Sequence, residues 1–255
     1  MKEPGDEQQA TDERREQMVK LVTKGFYNEL VNYGVQQNEI LKVASHLLDN
    51  LMAQGNQPKA GVEYYSQLFT LASVRDEWEQ SRRIGVERVS IRPVDSEVHG
   101  KLARWLENPL VRESFVSPFP EGEAALREYF ADPVREYFAI CYDGAAVGIV
   151  GGDSIDLKSG KLEMKKLVGE AAVQGRGVGK RATFAFLYHA FMIRDLHKVY
   201  IHSRDINIRN LNLNSRFGFE VEGVFFEDIK VEGKLQDVVR MALFKPVWLK
   251  IFSGG

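Results

Sequence analysis

The sequence predicts an α/β protein: a mixed sheet flanked by helices, preceded by an all-α N-terminal domain. Three observations carry this. Apolar residues recur every three to four positions through the first third of the chain, which is the helical period. Beyond residue 86, stretches with the two-residue period of strands take over, several of them joined by turn-forming pairs. Among these, one strand runs directly into a glycine-rich loop and then a helix, so strands and helices are interleaved in one layer system.

Taken in order, residues 1–13 are polar and acidic and read as a tail. Met18, Val22, Phe26 and Leu30 then recur every four residues, with Leu21 beside them. Tyr33-Gly34 breaks that stripe. Ile40, Ala44, Leu47, Leu48 and Leu51 form a second, and Gln54-Gly55-Asn56-Gln57-Pro58 has loop composition. Tyr65, Leu68, Phe69 and Ala72 form a third stripe, running on toward Trp78. Residues 14–85 are therefore expected to be a helical domain. Its stripes need a cover, either the second domain or another copy of the chain, which makes a homodimer one expected partner state.

The second domain is expected over 86–255. Val89 to Pro93 alternates as a strand and stops at the proline. Asp95 or Ser96 can cap a helix running to Leu106. A short helix is expected over 121–129. Strands at 137–142 and 145–150 flank Asp143-Gly144, a strong signal for a two-residue hairpin turn. Residues 162–168 form the strand before the glycine loop, and a helix follows over 177–193. A strand at 199–203, a helix at 208–217 and a hairpin of 219–229 with 236–244 complete the order.

Bulk properties exclude several classes. The chain has 255 residues, a net charge of −2 and 27% charged residues. The first 85 residues carry ten lysines and arginines against thirteen aspartates and glutamates, the wrong sign for tracking phosphates along nucleic acid. The single cysteine, Cys141, lies in an apolar run and reads as a buried thiol, so no intrachain disulfide exists. No apolar stretch reaches membrane-spanning length and the start of the chain does not resemble a secretory signal. No membrane partner and a cytoplasmic location are the resulting expectations. His189, His197 and His202 lack ligand spacing, so no metal is expected.

The chemistry concentrates in Gln174-Gly175-Arg176-Gly177-Val178-Gly179-Lys180. Glycines let backbone N–H groups approach a ligand closely, and the helix that starts here turns unpaired N–H groups and its positive end toward an anion. Arg176 and Lys180 add charge. The Walker pattern fails, because Gln174 stands where its first glycine belongs and Arg181 follows the lysine. The dinucleotide fingerprint fails at Lys180. What remains, Q-x-x-G-x-G, resembles the pyrophosphate motif of the GNAT acyltransferase superfamily. Downstream, Asn207, Asn210, Leu213, Asn214, Gly218 and Phe219 keep the spacing of that family's N-x-x-A-x-x-L-Y-x-x-x-G-F segment. The likeness covers roughly residues 86–246, and is similar in character to the branch with ribosomal-protein and amino-sugar acetyltransferases.

This resemblance implies a mostly antiparallel, splayed sheet and an acetyl-CoA donor. Residues 174–180 would hold the pyrophosphate. The strand ending at Leu167 and Val168 would pair with pantetheine, and one of those two N–H groups would stabilise the oxyanion. Asn207 and Asn210 lie near the cofactor in the family. The acceptor is expected to be a primary amine on a small metabolite, an amino sugar or a polyamine. A protein N-terminus is the second enzymatic reading. A departure stands at Asn214, where the family often has a tyrosine that protonates the leaving thiolate; an amide is no comparable acid. That leaves a non-catalytic CoA-binding scaffold as a reading of another class. Two residues are candidate bases. His202 lies five before Asn207, at a position that carries a catalytic glutamate in ribosomal-protein alanine acetyltransferases, and its ordinary pKa suits neutral pH. Glu163 matches a glutamate frequent on the strand before the loop. His202 is the preferred base.

Overall fold

The structure, a computed structural model, describes residues 18–28, 30, 31, 35, 36, 39, 40, 64–112, 115–204, 208–231 and 233–253. The chain divides into two units, Met1–Gly61 and Val62–Gly255. In the first, residues 18–28 are helical, in line with the four-residue spacing of Met18, Val22 and Phe26. The tail 1–13 and the second stripe beyond Ile40 lie outside the described residues.

The second unit starts about 25 residues before the expected boundary at 86. Its opening is not a third amphipathic helix. Tyr65–Gln67 and Leu71–Ser73 are single 3₁₀ turns, the second held by a reciprocal Thr70–Ser73 cap. Strand β1 (Val74–Glu77), the one-turn helix α1 (Trp78–Ser81) and β2 (Arg83–Val86) follow. The reason is local. Left-handed Arg82 closes α1 after four residues, and the β-branched residues Ile84 and Val86 suit a strand that pairs on both sides. The apparent helical spacing of Tyr65 and Phe69 instead serves the core: Phe69 stacks on Phe184 with ring centroids 4.9 Å apart.

Seven more strands complete one sheet: β3 (Val89–Pro93), β4 (Glu136–Tyr142), β5 (Ala145–Asp156), β6 (Lys161–Val168), β7 (Lys198–Arg204), β8 (Glu220–Val231) and β9 (Lys234–Phe244). The order is β1-β2-β3-β4-β5-β6-β7-β9-β8. Every pairing is antiparallel except β6 with β7. The Asp143-Gly144 turn has both residues at positive φ, 49° and 86°, as a type I′ hairpin requires. The hairpin expected from 219–229 and 236–244 is the long antiparallel pair of β8 with β9.

Both faces of the sheet are covered, and the period of two sorts the strand residues between them. On β4, Phe138 and Ile140 join one core while Tyr137, Ala139 and Cys141 join the other. Helix α5 (Val178–Tyr188) and helix α7 (Lys245–Phe252) cover the first face, through Phe184, Phe186, Trp248 and Phe252. Helix α2 (Ser96–Leu106), capped by Asp95, and helix α4 (Glu123–Ala131) cover the second, through Val98, Leu102 and Leu126. Between them lies the short α3 (Pro109–Arg112). Helix α6 (Ile208–Ser215) follows β7. No helix among the described residues is long and apolar enough to cross a membrane.

Candidate active site

β6 and β7 pair at only three positions: Lys161 with Lys198, Leu162 with Val199, and Glu163 with Tyr200. Both strands continue, β6 to Val168 and β7 to Arg204. Each then follows its antiparallel neighbour, β6 staying with β5 up to Val168–Gly148 and β7 with β9 up to Arg204–Val238. The strands part, and a cavity of about 160 Å³ opens in the fork. Glu163, Lys165, Lys166, His202 and Asn214 all line it.

Side chains at the fork sort by face. Leu162 and Met164 on β6, with Val199 and Ile201 on β7, belong to the core under α5. Glu163, Lys165, Tyr200 and His202 therefore project to the opposite face. There His202 Nδ1 lies 3.1 Å from Glu163 Oε1. The two rival bases of the sequence are thus a single pair, set where backbone pairing ends. Tyr200 and Phe225 hold the imidazole edge-on, with centroids 5.5 and 5.8 Å away. Asn214 is buried at the cavity wall.

The glycine loop lies on the α5 side. Gly175 and Gly177 have φ of 78° and 75°. Gly177 is the residue preceding α5 and makes no side-chain cap, so the first N–H groups of the helix stay available for an anion. Gln174 Nε2 donates to Val168 O at 3.3 Å, tying the loop to the end of β6. Arg176 is exposed. Lys180 Nζ lies 5.6 Å from the Tyr65 ring centroid. Leu167 turns its side chain into the second core, while Val168 packs against the first. Asn207 and the side chain of Asn210 lie outside the described residues.

The sequence reading missed a buried network beside the Glu163–His202 pair. Asp153 receives hydrogen bonds from Tyr129, from Tyr137 at 3.0 Å and from Arg135 at 2.8 Å, and pairs with Lys165 Nζ at 2.5 Å. Burial disfavours the charge on Asp153, but Lys165 and Tyr129 outweigh it and its pKa falls. Burial pushes the Tyr137 phenol well above its ordinary range. Lys165 Nζ also donates to Ser117 O at 3.1 Å, which fixes the segment carrying Phe115 and Val116 against the cavity. One signal was present in the sequence. Lys165 and Lys166 are adjacent in one strand, so each face of a doubly covered sheet had to accommodate a lysine.

The model of the acetyltransferase (GNAT) domain matches residues 88–220, slightly more than half the chain. The chain belongs to the GNAT acetyltransferase family. Spermidine N(1)-acetyltransferase of Escherichia coli K12 is 24% identical over 145 residues, covering 57% of this chain and 74% of that protein. The Vibrio cholerae spermidine N(1)-acetyltransferase is 33% identical over 76 residues, covering 30% of this chain and 44% of the other. Among solved structures, spermidine N-acetyltransferase from Vibrio cholerae in complex with CoA and spermine superposes with a TM-score of 0.60 at 21% identity, over 64% of this chain and 99% of that one. A dodecameric structure of the same enzyme gives 0.56 at 22%, over 64% and 97%. The GNAT fold accounts for the fork in the sheet and for the glycine turn beside it.

Proposed function

We propose that this GNAT protein transfers an acetyl group from acetyl-CoA to a primary amine of polyamine type. The observation that carries the reading is the fork. It joins an anion-binding helix start on one face to a carboxylate–imidazole pair on the other. The site residues fit the donor. Gly175 has nothing within 4 Å of the position a Cβ would take, so the turn can close on a phosphate.

Acetyl-CoA supplies a thioester carbonyl and a thiolate leaving group. The protein residues supply the rest. The diphosphate rests on the N–H groups at the start of α5, with Arg176 and Lys180 nearby. The unpaired edge of β6 beyond Glu163 offers backbone groups to the pantetheine arm. Consecutive N–H groups of a strand point to opposite sides, so only one of Leu167 and Val168 faces the fork. The Val168 carbonyl is taken by Gln174 rather than by β5, which puts the Val168 N–H on the open side as the oxyanion donor. An attacking amine must be neutral, so its proton must leave. Glu163 fixes the His202 tautomer by accepting from Nδ1–H, and Nε2 then takes the proton. Asn214 can hydrogen-bond the departing sulfur, while water protonates it.

The acceptor trough supports a long, flexible amine. A cavity of about 440 Å³ shares Phe115 and Val116 with the fork and continues along Pro118, Phe119, Ile229 and Val231. Arg112, Glu121 and Lys230 complete the lining, and its apolar stretch suits methylene spacers between amino groups. The polyamine enzymes among the relatives point the same way, and the dodecameric relative supports self-association of this chain. The test is CoA release from acetyl-CoA across a panel of polyamines, amino sugars and short peptides. Polyamines are expected to give the highest kcat/KM. Turnover confined to peptides would transfer the assignment to protein N-termini.

A further inference from the structure

The inner side of the glycine turn carries one cation, and it has no carboxylate among the described residues. Lys166 Nζ donates to Thr183 Oγ1 at 2.6 Å, and Thr183 donates to Gly179 O at 2.9 Å. The amine therefore sits beneath the first turn of α5; a Cβ on Gly179 would lie 4.0 Å from Nζ. Charged groups on the surrounding elements have other partners. On β6, Glu163 pairs with His202 and Lys165 with Asp153 of β5, all on the opposite face. On α5, Arg181 pairs with Glu87 and also donates to the Arg176 and Gly177 carbonyls of the turn, at 3.4 and 3.3 Å, and Lys180 lies over Tyr65. On β7, Arg204 donates to Gln236. From α6 comes the neutral amide of Asn214.

Among the described residues the lysine's partner is thus a neutral hydroxyl, and the positive end of a helix lies next to it. Both favour the uncharged amine. Burial pushes the Lys166 pKa down to about 8.

We propose that Lys166 is a proton-linked anchor of the donor site: phosphates bound at the glycine turn charge it, and the site takes up a proton as it fills. This rests on the donor reading above. The bound anion raises the lysine's pKa, so binding favours the protonated form. Affinity then falls as pH rises through 8, by up to roughly tenfold from pH 7 to pH 9, and binding at pH 8 takes up about half a proton. At pH 8 and above, electrostatic capture becomes self-adjusting: the amine is fully charged only when there is an anion to meet it.

Calorimetric titration of the full chain with acetyl-CoA at pH 8, in two buffers of different ionisation enthalpy, counts the protons. Acetyl-CoA has no free thiol and its phosphates are already ionised at that pH, so the ligand contributes none. The wild type is expected to take up about half a proton. Lys166→Met keeps the stem and should take up none, with weaker binding at pH 7. Lys166→Arg cannot lose its charge; it should take up none and show an affinity that no longer falls with pH. If one variant does not fold, the other answers alone. Uptake that persists in the folded variants, or is absent in the wild type, overturns the proposal. No binding of acetyl-CoA to the wild type at any pH would sink the donor reading itself.

Discussion

A histidine that accepts a proton needs one ring nitrogen held and the other presented. Glu163 holds His202 Nδ1 at 3.1 Å, and the edge-on rings of Tyr200 and Phe225 limit its rotation. His202→Gln keeps size and polarity but removes basicity. It should lower kcat by roughly 10²–10⁴-fold and leave acetyl-CoA affinity unchanged by calorimetry. The deficit should shrink at high pH, where the amine sheds its proton unaided. Glu163→Gln retains an acceptor for Nδ1–H and should cost less than His202→Gln. A larger loss in Glu163→Gln would make the carboxylate the base and the imidazole its support.

At the scale of elements, the glycine turn makes the sharpest demand on sequence. Gly177 holds a left-handed φ of 75° just before α5, and a Cβ there would lie 2.5 Å from Arg181 Nη1. Those neighbours are flexible side-chain ends, so Gly177→Glu should cost only about 1–2 kcal/mol of backbone strain and leave the fold intact. A carboxylate at the helix start should nevertheless abolish binding of acetyl-CoA, read by calorimetry beside an unchanged circular dichroism spectrum. Retained affinity in the folded variant would move the diphosphate elsewhere. This turn was legible in the sequence because its geometry needs particular residues. The Asp143-Gly144 hairpin and the Asp95 cap were legible for the same reason. β1 and β2 were not: four-residue strands carry too little alternation, and the spacing of Tyr65 and Phe69 imitates a helix. Helix α7 went unread in a stretch that follows the last hairpin, although Trp248 and Phe252 at four-residue spacing both enter the core. At the site, Glu163 and His202 were each visible, but only the three-residue pairing of β6 with β7 makes them neighbours. Asp153 lies far from any motif, so nothing local marked it as the partner of Lys165.

Across the whole molecule, the same sheet that holds the site also carries a pH liability on its α5 face. His189 is buried in the turn that continues α5, against Trp78 and Phe138 with centroids 4.5 and 4.7 Å away. Burial, with help from Arg194, pushes its pKa down to about 3. The unfolded chain binds this proton near pH 6.5 and the native state does not. The stability that the neutral ring confers is therefore complete above pH 6.5 and is lost as pH falls from there toward 3. The slope approaches about 1.4 kcal/mol per pH unit. Urea midpoints between pH 7 and pH 4 should decline more gently in His189→Leu than in the wild type; parallel declines would show that other groups govern acid unfolding. The central claim, that the fork brings an acetyl donor and an amine together for direct transfer, has a direct test. It is the ratio of N-acetylated product to CoA released when the full chain is given acetyl-CoA and spermidine, measured by mass spectrometry. A one-to-one ratio, with release dependent on the amine, is the result expected. Tight binding of acetyl-CoA with no acetylated product from spermidine or any other amine would contradict it and leave a CoA-binding scaffold.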